Sequence, residues 1–333
     1  MTHQRLQLAR SFWLLALTLV GVLILSIFIG RYPTPYWMSP SVVLEDELAR
    51  RLLLSLRLPR VLTALLMGMS LSAAGAVLQM IFRNPLVEPG LLGVSQGAAF
   101  GAALSILWVG SSPVLLEISA ILFALTGLLA SYSLARRMRY GSWTLRLILA
   151  GIAVSALFSA GNGIMKYLAD PLSQLPEITF WMLGGLWGMT WEKLLFISPF
   201  VVVGLLIVYF MRWRLNLLSL SDETAFSLGT APARERTLLL IGAVSATAAI
   251  TAVGGIVGWI GLIVPHVARR IFGANAQYTI PASMMIGGIF TIICDTLARS
   301  LLPGEIPLGI LTSLIGAVAF LGLMISPQLK MRI

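Results

Sequence analysis

The chain has 333 residues, of which 58% are hydrophobic and 11% charged, with a formal net charge of +10. Soluble globular chains carry about 25% charged residues, so too little polar surface is present here for a water-soluble body. This excludes a cytosolic enzyme, a disordered chain and a secreted disulfide scaffold. The single cysteine, Cys294, excludes an internal disulfide and a cysteine-cluster metal site.

A helix needs roughly 20 apolar residues to cross a hydrocarbon core of about 30 Å. The first such run is 11–30, preceded by Arg5 and Arg10. It is too long for the apolar region of a signal peptide, and no small-residue cleavage site precedes Arg31-Tyr32-Pro33, so it reads as a retained span. Further runs follow at 61–82, 91–109, 113–135, 145–168, 194–211, 237–256, 278–298 and 307–326. The stretch 178–189 holds twelve residues with Gly184, Gly185 and Gly188, the length of an interfacial or re-entrant segment. The stretch 237–268 is too long, since its 32 residues in one helix would rise about 48 Å. A break near Gly254-Gly255 makes 258–272 a short span of its own. The expected fold class is an all-α polytopic membrane protein with ten transmembrane helices and both termini on one side.

Charge agrees with this count. With the N-terminus inside, Arg5, Arg10, Arg83, Arg136, Arg137, Arg139, Arg146, Arg212, Arg214, Arg234, Arg236, Arg269, Arg270, Lys330 and Arg332 all fall inside, fifteen of the 23 basic residues. That is the bias of the positive-inside rule, and it accounts for most of the net charge. Nucleic-acid binding is not indicated, because no basic stretch alternates with exposed aromatics. An outside cluster of Arg50, Arg51, Arg57 and Arg60 stands apart from the bias.

Within the spans, Gly93, Gly97 and Gly101 recur every four residues on one helix face. Such a face either lets two helix backbones approach closely or exposes backbone polar groups to a path. Asp295 and Arg299 are one turn apart, a spacing that permits a local ion pair. His266 follows Pro265, and a helix-end hydrogen bond is the simplest expectation for it. No chain of buried acids runs through the sequence, which argues against a proton-driven secondary transporter. No HExxH zinc motif, GxSxG elbow or Walker phosphate loop is present, so no catalytic residue or metal site is assigned.

The largest inside loop is 212–236. Ser221 followed by Asp222, Glu223 and Thr224 has the form of a helix start, Leu228-Gly229 that of its end, and Pro232 that of a new start. Two short amphipathic helices, forming a docking surface for a soluble partner, are expected there.

Three stretches together carry a resemblance. They are Arg57-Leu58-Pro59-Arg60 with Gly75-Ala76-Val77-Leu78-Gln79 and Arg83-Asn84-Pro85-Leu86-Val87-Glu88-Pro89-Gly90; then Gly261-Leu262-Ile263-Val264-Pro265-His266; then Asp295 to Arg299 with Glu305-Ile306-Pro307-Leu308-Gly309. From about residue 55 to the end, the chain resembles the iron-chelate (siderophore and haem) and cobalamin permeases of ABC importers, with a pattern similar to the vitamin B12 permease in Trp181-Met182-Leu183-Gly184-Gly185.

The resemblance implies a type II importer permease fold, with a single transmembrane permease domain over 1–333 that includes the coupling-helix loop 212–236. It implies a second permease subunit, a homodimer or a paralogue, two ATP-binding cassette ATPases that use ATP and Mg, and a periplasmic or extracellular substrate-binding protein. The location implied is a bacterial or archaeal cytoplasmic membrane with cytoplasmic termini, in contact with membrane lipid. No cofactor is bound by the chain itself.

Residue by residue, the resemblance assigns Arg57, Arg60 and Arg299 to docking acidic groups of the binding protein. Headgroup contact or an intrachain pair with Asp295 is the alternative. It assigns Ser221, Asp222, Ala225, Leu228 and Gly229 to the ATPase, with Asn84, Leu86 and Thr144 near an inner gate; Gly93 and Gly97, from the glycine face above, are the candidates for a path. The helix 178–189 matches an outer gate. If the docking assignment holds, reversing the charge of Arg57 and Arg60 leaves detergent stability nearly unchanged. Cargo expectations are a ferric siderophore, haem or a corrinoid, with molybdate or tungstate as the alternative. A secondary transporter or channel without ATP is the alternative class.

Overall fold

Glycine and proline set most of the helix boundaries in this chain. The computed structural model describes residues 2–32, 36–110 and 112–325. Lys330, Arg332 and the final residue of the 307–326 run lie outside the described residues. In chain order the helices are α1 (Thr2–Phe28), α2 (Pro40–Glu45), α3 (Glu47–Arg51), α4 (Leu58–Ile81), α5 (Val94–Trp108), α6 (Pro113–Arg137), α7 (Trp143–Leu168), α8 (Gln174–Leu183), α9 (Trp191–Leu218), α10 (Asp222–Ser227), α11 (Pro232–Gly254), α12 (Ile260–Phe272), α13 (Ala276–Ser300) and α14 (Leu308–Ile325). A π-helical turn, Leu52–Arg57, joins α3 to α4, and a 3-10 turn, Pro89–Leu92, precedes α5.

Among the described residues, seven helices are long and apolar enough to cross a membrane, while α5 and α14 are shorter apolar helices. The 13-residue α12 is the short segment expected after the glycine break. The second span is longer than its apolar run suggests. Glu47–Ile81 is one continuous helix of 35 residues, about 52 Å long at 1.5 Å per residue. Its first turns therefore project beyond the hydrocarbon, and these turns carry the arginine cluster.

α4 is the axis of the bundle and is buried along most of its length. Its partner is α13. A Cβ at Gly68 would collide with the carbonyl of Gly287, and one at Gly75 with the carbonyl of Gly261 on α12. Ser72 Oγ donates across the same interface to the Ser283 carbonyl at 2.8 Å. Without water to drive association, helices in lipid are held by this kind of close backbone approach and by hydrogen bonds between helices.

The Gly93, Gly97, Gly101 stripe serves the same purpose. Cβ atoms there would strike Val154 of α7 and the carbonyls of Phe123 and Ser119 on α6. Ser119 Oγ donates to the Gly101 carbonyl at 2.7 Å. Gly93 and Gly97, the candidates for a path, are both buried in this helix packing.

α11 ends at Gly254, and Gly255 caps it with φ 65°. This left-handed conformation is open to glycine at little cost. The end of α8 docks into the break, where Gly185 N–H donates to the Gly254 carbonyl at 2.8 Å and a Cβ at Gly255 would meet the Trp181 carbonyl. Gly309, in the first turn of α14, packs on the Leu183 and Ile256 carbonyls of the same junction. Three chain segments thus meet backbone to backbone at one glycine-lined point.

Candidate functional site

Two ends of the bundle and one internal cavity hold the polar groups. At one end, the far end, the arginine cluster sits over α4 and α13. Arg60 Nε lies 2.9 Å from Asp295 Oδ1 and its Nη1 lies 2.8 Å from Glu305, with the Arg60 side chain 12% exposed and Asp295 1%. Arg299 pairs with the other oxygen of Asp295 at 3.5 Å. Its Nη1 donates to the Ile29 carbonyl at 2.7 Å, and its Nη2 donates to Ser26. Arg57 donates to the carbonyls of Ile27 at 3.2 Å and Tyr32 at 3.1 Å.

All three guanidinium groups are turned into their own chain, fastening α1 and the α13–α14 loop onto α4. For Arg60 and Arg299 this is the intrachain pairing with Asp295 that the resemblance left as an alternative. The three also line an open groove of about 380 Å³ together with Glu305 and Gly188. Outside the spans, the Tyr32 hydroxyl donates to Asp46 at 2.7 Å. That bond holds the Asp46 carboxyl below the usual carboxylate range, helped by backbone N–H groups of α3, and pushes the Tyr32 phenol up.

The opposite end is the basic end. Here Ser221 Oγ caps α10 by accepting the Thr224 N–H at 3.3 Å, and Gly229 turns the chain with φ 81°. The loop is shorter than 212–236. Arg212 and Arg214 belong to α9, because its apolar run continues through Leu218. Pro232 opens the long α11 instead of a second short helix, proline being well suited to the first turn.

Ala225, a contact candidate, is fully buried within this chain, its carbonyl accepting from both the backbone N–H and the side chain of Thr230. Asp222 is paired with Arg236 at 2.7 Å. Two large apolar side chains stand among the exposed polar residues of the segment: Phe226 is 72% exposed and Leu228 54%. Phe226 was not among the sequence candidates, although an aromatic in an otherwise polar loop was the signal. Arg236 also donates to the Leu218 carbonyl at 3.1 Å, Arg83 donates to the Leu220 carbonyl, and Asn216 bonds Asn275 at 2.9 Å. α10 is thereby tied to α11, the turn before it to the end of α4, and α9 to α11 and the start of α13.

Asn84 and Leu86 lie in the turn after α4, where Asn84 Oδ1 accepts the Leu86 N–H at 2.9 Å and Leu86 is exposed. Thr144 lies in the first turn of α7 and lines a cavity shared with Arg83 and Asp222. His266 Nδ1 sits 2.8 Å from the Leu262 carbonyl, a bond to the preceding helical turn.

Between the ends is a cavity of about 370 Å³, walled by α4, α7, α11 and the break before α12. Its polar lining is Glu88, Ser95, Gln96, Ser155, Thr247 and Thr251. Burial pushes the Glu88 carboxyl up from its ordinary range, opposed by the N–H of Trp259. Trp259 holds φ 71°, rare for a residue with a side chain. No basic side chain lines this cavity among the described residues. Sequence reasoning missed it because its walls come from four distant segments.

The FecCD transport family model matches residues 17–326. The molybdate import permease MolB of Haemophilus influenzae is 40% identical over 314 residues, covering 92% of each chain. The Fe(3+)-citrate import permease YfmE of Bacillus subtilis is 38% identical over 316 residues, covering 93% of each. A solved structure described as a metal-chelate type ABC transporter in an inward-facing conformation superposes with a TM-score of 0.86 at 39% identity, covering 94% of this chain and 97% of that one.

Proposed function

Because the chain belongs to the FecCD transport family, we propose that it is the membrane-spanning permease of an ATP-driven importer that moves a metal chelate, a ferric siderophore, haem or a corrinoid, from a binding protein to the cytoplasm. The seven long helices, α5, α12 and α14 make ten crossings, with the basic end and both termini in the cytoplasm. The permease pairs with a second copy or a paralogue. Two ATPase subunits bind and hydrolyse ATP with Mg, and the permease itself carries out no chemistry.

The observation that carries this reading is α10. It exposes Phe226, and its C-cap exposes Leu228, on a segment anchored by Arg236 to α11 and by Arg83 to the end of α4. A soluble partner that pushes on this segment moves the helix ends that hold Asn84 and Thr144. Alternating access then needs only that the partner favour one arrangement over the other. The groove lined by Arg57, Arg60 and Arg299 faces the binding protein, and α8 with its glycine junction closes the path on that side.

A second reading, molybdate or tungstate as cargo, is supported by the 40% identity to MolB. The central cavity favours the chelate. It offers hydroxyls, an amide and one carboxylate and no basic side chain among the described residues, whereas a bound oxyanion calls for charge-assisted donors. Uptake into vesicles containing the permease and its ATPase tests both readings. ATP-dependent uptake of labelled chelate that molybdate does not inhibit is expected. Molybdate uptake that ignores chelate establishes the second reading, and uptake independent of ATP overturns both.

A further inference from the structure

We infer that the basic end holds a binding site for a phosphate-type oxyanion, separate from the α10 face and from the central cavity. Four elements enclose a cavity of about 610 Å³: the end of α4 with Arg83, the first turns of α7 with Ser142, Thr144 and Arg146, the start of α10 with Asp222, and Arg236 from α11. Three guanidinium groups line it against one carboxylate, which is already paired with Arg236.

Two of these groups have a buried nitrogen with no partner. Arg236 is only 8% exposed, yet its Nε is unbonded while its Nη2 holds Asp222 and Leu218. Arg146 donates through Nη1 to the Met138 carbonyl at 2.6 Å and leaves its Nε buried and unbonded. A buried donor without an acceptor costs free energy comparable to a lost hydrogen bond, so these two nitrogens are donors available to an accepting ligand. The α7 N-terminus adds amide groups that have no partner within the helix, together with the positive end of its dipole.

Arg83 holds φ 49°, a left-handed conformation strained for a non-glycine residue. Its guanidinium is thereby carried across the cavity mouth to the Leu220 carbonyl. A phosphate group offers oxygens to several converging arginines. The volume admits the oxyanion with a substituent attached. The source is either the headgroup of an anionic lipid or a free phosphate. In either case the ion bridges α4, α7 and α11, and so couples the anchor of α10 to Thr144.

Thermal unfolding of the delipidated full chain tests this in two arms. In detergent, inorganic phosphate is titrated against chloride at matched ionic strength. In nanodiscs, phosphatidylglycerol is titrated into phosphatidylcholine. Saturable stabilisation in the first arm identifies free phosphate, and stabilisation only in the second identifies the headgroup. Arg146→Gln and Arg83→Gln should each raise the half-saturating concentration about tenfold. Arg234→Gln, an exposed arginine of α11 outside the cavity, should leave it unchanged. If Arg146→Gln does not fold, the exposed Arg83→Gln decides. Absence of saturable stabilisation in both arms, or the wild-type response in the cavity variants, overturns the site.

Discussion

The two ends of α4 carry similar arginines with opposite arrangements. At the far end, Arg57, Arg60 and Arg299 are committed to carboxylates and carbonyls of their own chain. At the basic end, exposed apolar side chains stand beside arginines with unbonded nitrogens. The far end is therefore a lock that fixes α1, α4 and α13 together, and the basic end keeps Phe226 and Leu228 exposed beside its arginines. Residue type does not separate the two ends; the burial of the paired carboxylate does, Asp295 being 1% exposed and Asp222 63%.

The largest expected effect breaks the lock. Asp295→Ala leaves Arg60 and Arg299 buried without their shared carboxylate. Unpairing a buried charge costs about 3–5 kcal/mol, so thermal unfolding in detergent should show a large fall in Tm. Arg60→Glu should also destabilise strongly, since it sets a third carboxylate beside Asp295 and Glu305. This reverses the sequence expectation that charge reversal at Arg57 and Arg60 leaves stability nearly unchanged. A variant with wild-type Tm contradicts the lock.

Next comes the axis. Gly68→Ala drives a Cβ into the Gly287 carbonyl, and overpacking of this kind costs about 1–3 kcal/mol. Gly21→Ala, with open space around it, should be neutral in the same assay.

At the basic end the effect on stability is smaller and the effect on partners larger. Phe226→Asp with Leu228→Asp should unfold within about 0.5 kcal/mol of wild type, as surface changes do. The same variant should lose co-purification with the ATPase. Retained association contradicts the docking face.

The smallest effect is a pH dependence at the far end. The Tyr32 hydroxyl lowers the Asp46 pKa. The contribution of Asp46 to folding is therefore complete above the ordinary aspartate range and is lost as pH falls through its lowered value. The hydrogen-exchange protection of Leu48, taken relative to the intrinsic rate at each pH, should fall on acidification, because its N–H donates to Asp46 Oδ1 at 2.8 Å. In Tyr32→Phe that change should begin at higher pH.

The fold was largely readable because span length and glycine breaks are local signals. The break at Gly254-Gly255 and the start of α10 at Ser221 both follow from adjacent residues. The start of the second span was not readable, because its first turns carry arginines and leave the hydrocarbon while remaining helical. The site was legible in part. The segment Ser221 to Gly229 could be located, but which of its faces is exposed depends on α9 and α11, so Ala225 was chosen and Phe226 missed. Arg146 and Arg236 were readable only as basic-loop charges, since their convergence with Arg83 joins segments far apart in sequence. The pair of Glu117 and Lys193, 3.7 Å apart between α6 and α9, was hidden for the same reason.

The central claim is that α10 faces the cytoplasm and meets a nucleotide-hydrolysing partner there. The one native cysteine, Cys294, is buried, so introduced cysteines can be read individually with a membrane-impermeant thiol reagent. Phe226→Cys should react in inside-out vesicles, remain unreactive in intact cells, and be protected when the ATPase is bound. Leu44→Cys, on the exposed α2 of the far end, should react in intact cells. Labelling of Phe226→Cys from outside, or of both cysteines from the same side, contradicts the account.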